Sequence, residues 1–447
     1  MTQFPILAQM ALDAAKSAGA DASDVLVVDG TTLSISVRNG ALEHADRSEG
    51  VDIGLRVLVG QRQATLSISD QSTSAIQEMA ERAVAMAKEA PEDLTLGLAD
   101  PDQLTQDWDA DPLQMADPSD QLSPETLKDM ALRAEAAALN VPGISQSDTA
   151  GAGFSARQMY LAASNGFQGG YHRTTTSLSC VAISGEGLSM ERDYAGESRT
   201  FAAELPDAAE IGQLAAERAV ARAGAQKPKT GKFPVLFDER ISTSLLSHVM
   251  SAIDGGSIAR GSSWLKDKLG EQVLPKGMSL IEDPLRPKAG GSRPFDAEGL
   301  PVQKRAWIDD GILTHWVTDL RTARQLDVVS TGNAARSVSG PPRPSVGNLA
   351  LTQGTQSKQD LIRDMGTGLL VTSMIGSTIN PNTGDYSRGI NGFWVENGEV
   401  QYPVNEATIA GNLREFLLTL IPANDGRAHL SRVVPSLLVE GLTIAGN

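Results

Sequence analysis

Along the first eighteen residues, apolar positions recur every three to four residues at Leu7, Met10, Ala11, Ala14 and Ala15. That is the spacing of one face of an amphipathic helix. The period then drops to two. Leu33, Ile35 and Val37, then Ile53, Leu55, Val57 and Val59, alternate with polar residues and predict half-buried strands at 25–28, 33–37, 51–59 and 64–69. Asn39-Gly40 supplies a hairpin turn between them, and Gly60-Gln61 a second. Helical spacing returns over 73–89, with Ser74 and Gln77 placed as a capping box. A polar run rich in Asp and Pro follows at 100–120 and reads as a surface loop with a solvated acidic face. Ser123 and Pro124 mark the start of a helix to about Leu139. Strand patterning resumes over 144–201, with turns at Asn165-Gly166 and Ser184-Gly185, before a helix at 207–223.

The segment 226–232 (QKPKTGK) is polar and basic and contains Pro and Gly, so it predicts a boundary between residues 1–226 and 233–447. Beyond it come a buried strand at 233–237 and a helix at 239–254, with Asp238 as N-cap and Gly255-Gly256 as its stop. A second amphipathic stretch follows at 257–274. The rest is mostly strands: 278–282, 306–308, 312–317, 349–351, 368–374, 392–396 and 437–441. Hairpin turns are expected at Asp310-Gly311 and Asn397-Gly398, an extended loop at 336–347, and a short helix at 413–420. The pattern predicts an α+β chain. A unit of antiparallel sheet plus helices leads into a mostly antiparallel, barrel-like β unit with one helix packed on it.

Composition narrows the function. The 447 residues suffice for two or three cores, and with only 4% aromatics those cores must rest on Leu, Val, Ile, Ala and Met. A formal net charge of −17 argues against direct nucleic-acid binding, which needs clustered Lys and Arg. Cys180 is the only cysteine, which rules out an intrachain disulfide and a thiolate zinc cluster. It sits in the alternation Leu178, Cys180, Ala182 and is expected to be a buried thiol with nothing to activate it. The start of the chain lacks a basic segment followed by an apolar run, and no stretch approaches the ~20 apolar residues of a membrane span. A cytoplasmic protein is the expectation.

The 239–254 helix carries the candidate chemistry. His248 lies among Ile241, Leu245, Leu246, Val249, Met250, Ala252 and Ile253. A zinc hydrolase would place a glutamate beside the first histidine and a second histidine one turn on. Val249 occupies the first of these places, and Ala252 and Ile253 stand where the second histidine would fall. The remaining histidines, His44, His172, His315 and His429, form no pair at ligand spacing on one element. A hydrogen-bonded His248 at a helix–sheet interface is therefore expected. No nucleophile elbow, dinucleotide fingerprint or phosphate loop is present. The stretch 376–412 packs turn residues between short apolar runs. There Asp385 and Arg388 flank Tyr386-Ser387 closely enough to pair, either as a pin for a glycine-rich element or as the rim of a pocket.

Residues 380–389, the run Gly392-Phe393-Trp394-Val395-Glu396-Asn397-Gly398, Pro403-Val404, Thr408–Asn412 and the closing Gly441-Leu442-Thr443-Ile444-Ala445-Gly446 together resemble the TldD/PmbA family. Pro294–Gly299, Ser330–Ala334 and Gly54–Val57 agree with it, so the resemblance covers nearly the whole chain. It implies one of two kinds of chain. The TldD kind is implied to carry zinc through H-E-x-x-x-H on the helix after the linker and a cysteine near its C-terminus. The PmbA kind, also called TldE, lacks these ligands. This sequence is similar to the second kind: His248, Val249 and Ile253 stand at the three motif positions, and no cysteine follows Cys180. The resemblance thus implies a subunit without its own metal, with zinc in a TldD-like partner. The resemblance implies that such heterodimers act on unfolded peptides, and the family is also called a modulator of DNA gyrase. The rival expectation is a metal-free homodimer that binds peptide or acts as a scaffold. An independent hydrolase built on His248 and His429 ranks below both.

Overall fold

The computed structural model describes residues 3–446. Met1, Thr2 and Asn447, which begin and close the two expected units, lie outside the described residues. The first half opens with helix α1 (Gln3–Ala18) and then builds one antiparallel sheet. Its strands are β1 (Ala22–Arg38), β2 (Ala41–Val59), β3 (Arg62–Ile68), β4 (Ile144–Ala163), β5 (Gln168–Ser184) and β6 (Glu191–Arg199), in the order β3-β2-β1-β4-β5-β6. Helices α2 (Thr73–Glu89), α3 (Pro124–Leu139) and α4 (Ala208–Ala221) join α1 on one face. The period of two explains the sidedness. Val25, Val27, Leu33, Ile35 and Val37 point toward the helices, whereas Leu26 points the other way and joins Phe167, Phe295, Leu300 and Leu320.

Asn39 and Gly40 both have positive φ (55° and 71°), the conformation that two-residue hairpins of this twist require. Buried Glu135 of α3 reaches over and accepts from both of their amides at 2.8 Å. α3 and α4 approach so closely that a Cβ on Gly212 would lie 1.9 Å from the Ala134 carbonyl oxygen. Cys180 is fully buried, and burial pushes its thiol up to about 11, which suits a packing role.

Three expectations for this half need correction. β1 is one continuous strand rather than two, and β2 begins at Ala41 rather than Val51. Residues 41–50 are exposed on both faces, so no alternation marks them as a strand. α2 is capped by Ser72, whose side chain accepts from the Ala75 amide, not by a Ser74–Gln77 box; Gln77 reaches Glu81 instead. The 100–120 run follows the surface as expected, though Leu104, Leu113 and Met115 are buried and Trp108 packs edge-on against Phe295 at 5.0 Å.

The second half is organised on a closed ring of five strands. β7 (Gly231–Phe237) runs parallel to β8 (Gly368–Ile379), which pairs antiparallel with β9 (Asp385–Glu396). β9 pairs with β10 (Glu399–Asn412), β10 with β11 (Leu437–Ala445), and β11 returns to β7. A smaller sheet of short strands, including Leu280–Glu282, Arg305–Asp309 and Leu349–Leu351, packs beside it. The barrel-like β unit is thus a barrel with one parallel pair. β10 was not foreseen: Pro403 interrupts the donor ladder and Glu406 has a positive φ of 49°, so its pattern is broken. Helix α5 (Glu239–Ala252) follows β7 as expected, but Gly255-Gly256 does not end the helical path. Asp254 caps a further short turn of helix at Gly255–Ala259. Beyond it 260–274 is turns, with Trp264 and Leu265 buried and Leu269 exposed.

Candidate functional site

α5 is fixed at its start by charge. The Asp238 side chain accepts from the Arg240 amide and makes ion pairs with Lys358 (3.0 Å) and Arg240 (3.2 Å). Burial pushes the Asp238 carboxyl up, but Lys358 and Arg240 outweigh it and hold the group below its usual range. Arg240 continues to Asp193 of β6 at 3.0 Å, and Arg427 joins Glu239 to Glu197 of the same strand. The helix therefore enters the barrel with its first turn tied to the N-terminal sheet.

Further along, Val249 and Ile253 are buried in the largest core with Leu245, Leu246, Phe237 and Trp307. His248 is turned toward β9 and is only half-buried. Its ring meets that of Tyr386 edge-on at 5.9 Å, and Tyr386 in turn packs on Phe416 at 5.5 Å and places its hydroxyl 3.4 Å from the Met374 sulfur. Among the described residues the expected hydrogen bond to His248 is not made. Its Nε2 has no partner among them, nor do the Ser244 hydroxyl one turn earlier and the Arg388 Nε, all three without solvent contact. Burial first, and the Arg388 charge second, push the imidazole down to about 4, so it is neutral at pH 7. Burial also pushes the Tyr386 hydroxyl up.

Of the six site residues expected from sequence, the structure gathers His248, Tyr386 and Arg388 on one side of α5 and keeps Val249 and Ile253 in the core. Asp385 is elsewhere. It is exposed and accepts from the Thr383 hydroxyl (2.6 Å) and the Asn412 amide (2.9 Å). The expected Asp385–Arg388 pair does not form because alternate residues of a strand point to opposite faces: Tyr386 is buried while Asp385 is not. Ser244 and Met374 were missed. Ser244 was within reach of sequence reasoning, four residues before His248 on a predicted helix.

The donor set does not suit zinc. His248 is one neutral imidazole, its motif neighbours are aliphatic, and Arg388 brings positive charge where a cation would have to sit. Among the described residues no group of three or more His, Cys, Asp or Glu is placed to hold a metal ion. The other histidines are dispersed. His315 packs near Trp307 at 6.5 Å and His429 contacts Glu197 at 3.1 Å.

Because His248 is protonated less readily in the folded chain than in the unfolded one, its neutral form stabilises the fold above about pH 6.5, and that contribution is lost as pH falls toward 4. Between pH 7.5 and 5, urea unfolding of the native chain should lose about 1 kcal/mol more than that of His248→Gln, after discounting for partial exposure. Equal losses would show that the ring is not held neutral.

The fold and this site define an α+β chain whose closed barrel carries a helix with a lone, uncharged histidine. Comparison with known proteins places it. The PmbA/TldA metallopeptidase C-terminal domain matches residues 230–446, the central domain residues 117–223 and domain 1 residues 23–87. The metalloprotease PmbA of Escherichia coli O157:H7 is 35% identical over 433 residues, 96% of this chain and 93% of that protein. The PmbA homolog of Haemophilus influenzae is 37% identical over 440 residues, 98% and 95%. The crystal structure of a proposed modulator of DNA gyrase from Bacteroides thetaiotaomicron superposes with a TM-score of 0.92 at 29% identity, covering 100% of both chains. TldE from Thermococcus kodakarensis shares the fold, with a TM-score of 0.84 at 21% identity over 97% of this chain and 99% of that one. The chain belongs to the PmbA/TldD family of peptidases. No helix of the described residues is long and apolar enough to cross a membrane.

Proposed function

We propose that this chain is the non-catalytic subunit of a two-chain zinc metallopeptidase that degrades unfolded peptides in the cytoplasm. In this reading residues 1–226 and 233–447 are its two units, and a TldD-like partner supplies the zinc. One observation carries it: α5 keeps His248 but replaces the other motif positions with Val249 and Ile253, both committed to the core. Valine cannot take a proton from a metal-bound water, and isoleucine cannot ligate. His248, Tyr386 and Arg388 then form a pocket wall beside the partner's chemistry rather than a centre of their own; Asp385 stays outside that wall.

The first half of β2 supports assembly with another chain. β3 covers only Ile53–Val59, so residues 41–50 offer an open strand edge to which another chain could add a strand. The same edge favours the second reading, a metal-free homodimer that binds peptide or acts as a scaffold. The chain would be purified alone and with a TldD-like partner, then assayed for zinc and for cleavage of an unfolded protein. Cleavage by the mixture but not by the chain alone is expected. Zinc-dependent cleavage by the isolated chain would overturn the reading. A stable homodimer that ignores the partner would favour the scaffold.

A further inference from the structure

A cavity of about 390 Å³ opens where the outer end of the N-terminal sheet meets two loops of the second half. That volume is within the range of small-ligand sites. Its walls bring together Arg199, Arg286, Lys288 and His429, with Glu204 as the one lining carboxylate. Three of these, Arg199, Arg286 and Lys288, are cations, an unexpected concentration in a chain of net charge −17, while burial and then the Arg199 charge hold the His429 imidazole below its usual range. The cations are also held in place. Arg199 is fixed by Glu197 at 2.6 Å, and Glu197 is further bound by Arg427 (2.6 Å) and His429 (3.1 Å). Lys288 pairs with Glu204 and lies 4.3 Å over the Phe201 ring, while its carbonyl accepts from the Thr200 hydroxyl at 3.1 Å. Arg173 donates to the Gly290 and Ser292 carbonyls and so braces the 286–290 loop.

Arg286 is the exception. It is partly buried, donates to the Leu430 carbonyl, and makes no ion pair among the described residues. Asp283 acts on it electrostatically without pairing with it, so this partly desolvated guanidinium keeps donors to spare, in the planar fork that suits oxyanions. Thr175, Ser198 and Ser431 line the same space, and side-chain hydroxyls of this kind can complete such a shell.

We propose that this cavity is a binding site for a small multivalent oxyanion, a phosphate or a dicarboxylate, gripped by Arg286 and Lys288. The site is independent of the degenerate metal helix and stands or falls apart from the peptidase reading. Because its walls come from both halves of the chain, a bound anion would also clamp the N-terminal sheet to the barrel.

Calorimetric titration of the full chain with pyrophosphate and, separately, with glutarate tests it and distinguishes the two sources. Saturable binding of at least one is expected, weakening with added salt. Arg286→Met should weaken it about tenfold or more, and Lys288→Met should weaken it as well. Arg286→Lys should recover part of the loss, and circular dichroism would establish that each variant is folded. If neither anion saturates, or if folded Arg286→Met and Lys288→Met bind as the native chain does, the proposal fails.

Discussion

Asp24→Ala is expected to lower the unfolding free energy by about 3–5 kcal/mol, the range found when one member of a buried ion pair is removed. Asp24 lies on β1 and is almost fully buried. It takes two guanidiniums at once: Arg56 of β2 at 2.5 Å, and Arg336, which reaches it from the second half of the chain. Removing the carboxylate leaves two buried cations facing each other. Glu298 and Asp319 lie close enough to act on Arg56, but their carboxylates are occupied. Glu298 accepts from the Leu320 amide at 2.8 Å and Asp319 from the Thr322 amide at 2.8 Å. Burial and then the neighbouring Asp296 hold the Glu298 carboxyl well above its usual range, so it can recover only part of the lost charge by ionising. For a fold stable by roughly 5–15 kcal/mol the loss is large. Urea denaturation followed by two probes would measure it, with Arg47→Ala as the control: that exposed pair with Glu49 at 2.9 Å should change stability by less than about 1 kcal/mol. A loss below 1 kcal/mol for Asp24→Ala would mean that the cluster does not join the halves. Two separated transitions in the variant would show that it does.

That cluster also marks how far sequence reasoning reaches. Features set by neighbouring residues were legible: the Ser123-Pro124 start of α3, the Asn39-Gly40 hairpin, the apolar face of α5 and the period of β1. What failed depends on neighbours that the chain order does not reveal. The first half of β2 is wet on both faces, so no alternation survives to announce it. β10 carries a proline and a positive-φ glutamate, which read as loop although the ladder runs on around them. The Asp385–Arg388 pair was drawn from short separation alone; once 385–396 is a strand, a spacing of three puts the two residues on opposite faces. Asp24 and Arg336 lie 312 positions apart, and no local pattern joins them. The candidate site was half legible. His248 and its aliphatic neighbours Val249 and Ile253 could be read from α5, whereas its seat against Tyr386 and Arg388 needed the barrel to close.

Placing a glutamate at position 249 should break the fold rather than create a metal site. Val249→Glu is expected to cost roughly 3–5 kcal/mol, because the side chain at this position is 1% exposed and surrounded by core residues. A carboxylate there would have no donor at hand. His248 is neutral, and Val249 packs among apolar core side chains. The new carboxyl would instead stay protonated, its pKa raised by burial, and a protonated acid neither activates water nor attracts a cation. Adding Ile253→His compounds the loss, since Ile253 is fully buried where α5 ends. Ligand binding to the folded state raises stability in proportion to the logarithm of its concentration over Kd, so a true metal site would reveal itself as a zinc-dependent rise in Tm. None is expected for either variant. A Val249→Glu, Ile253→His chain as stable as the native one, melting higher with each addition of zinc, would mean that α5 still presents these positions to a metal and that its apolar side chains are not committed to packing.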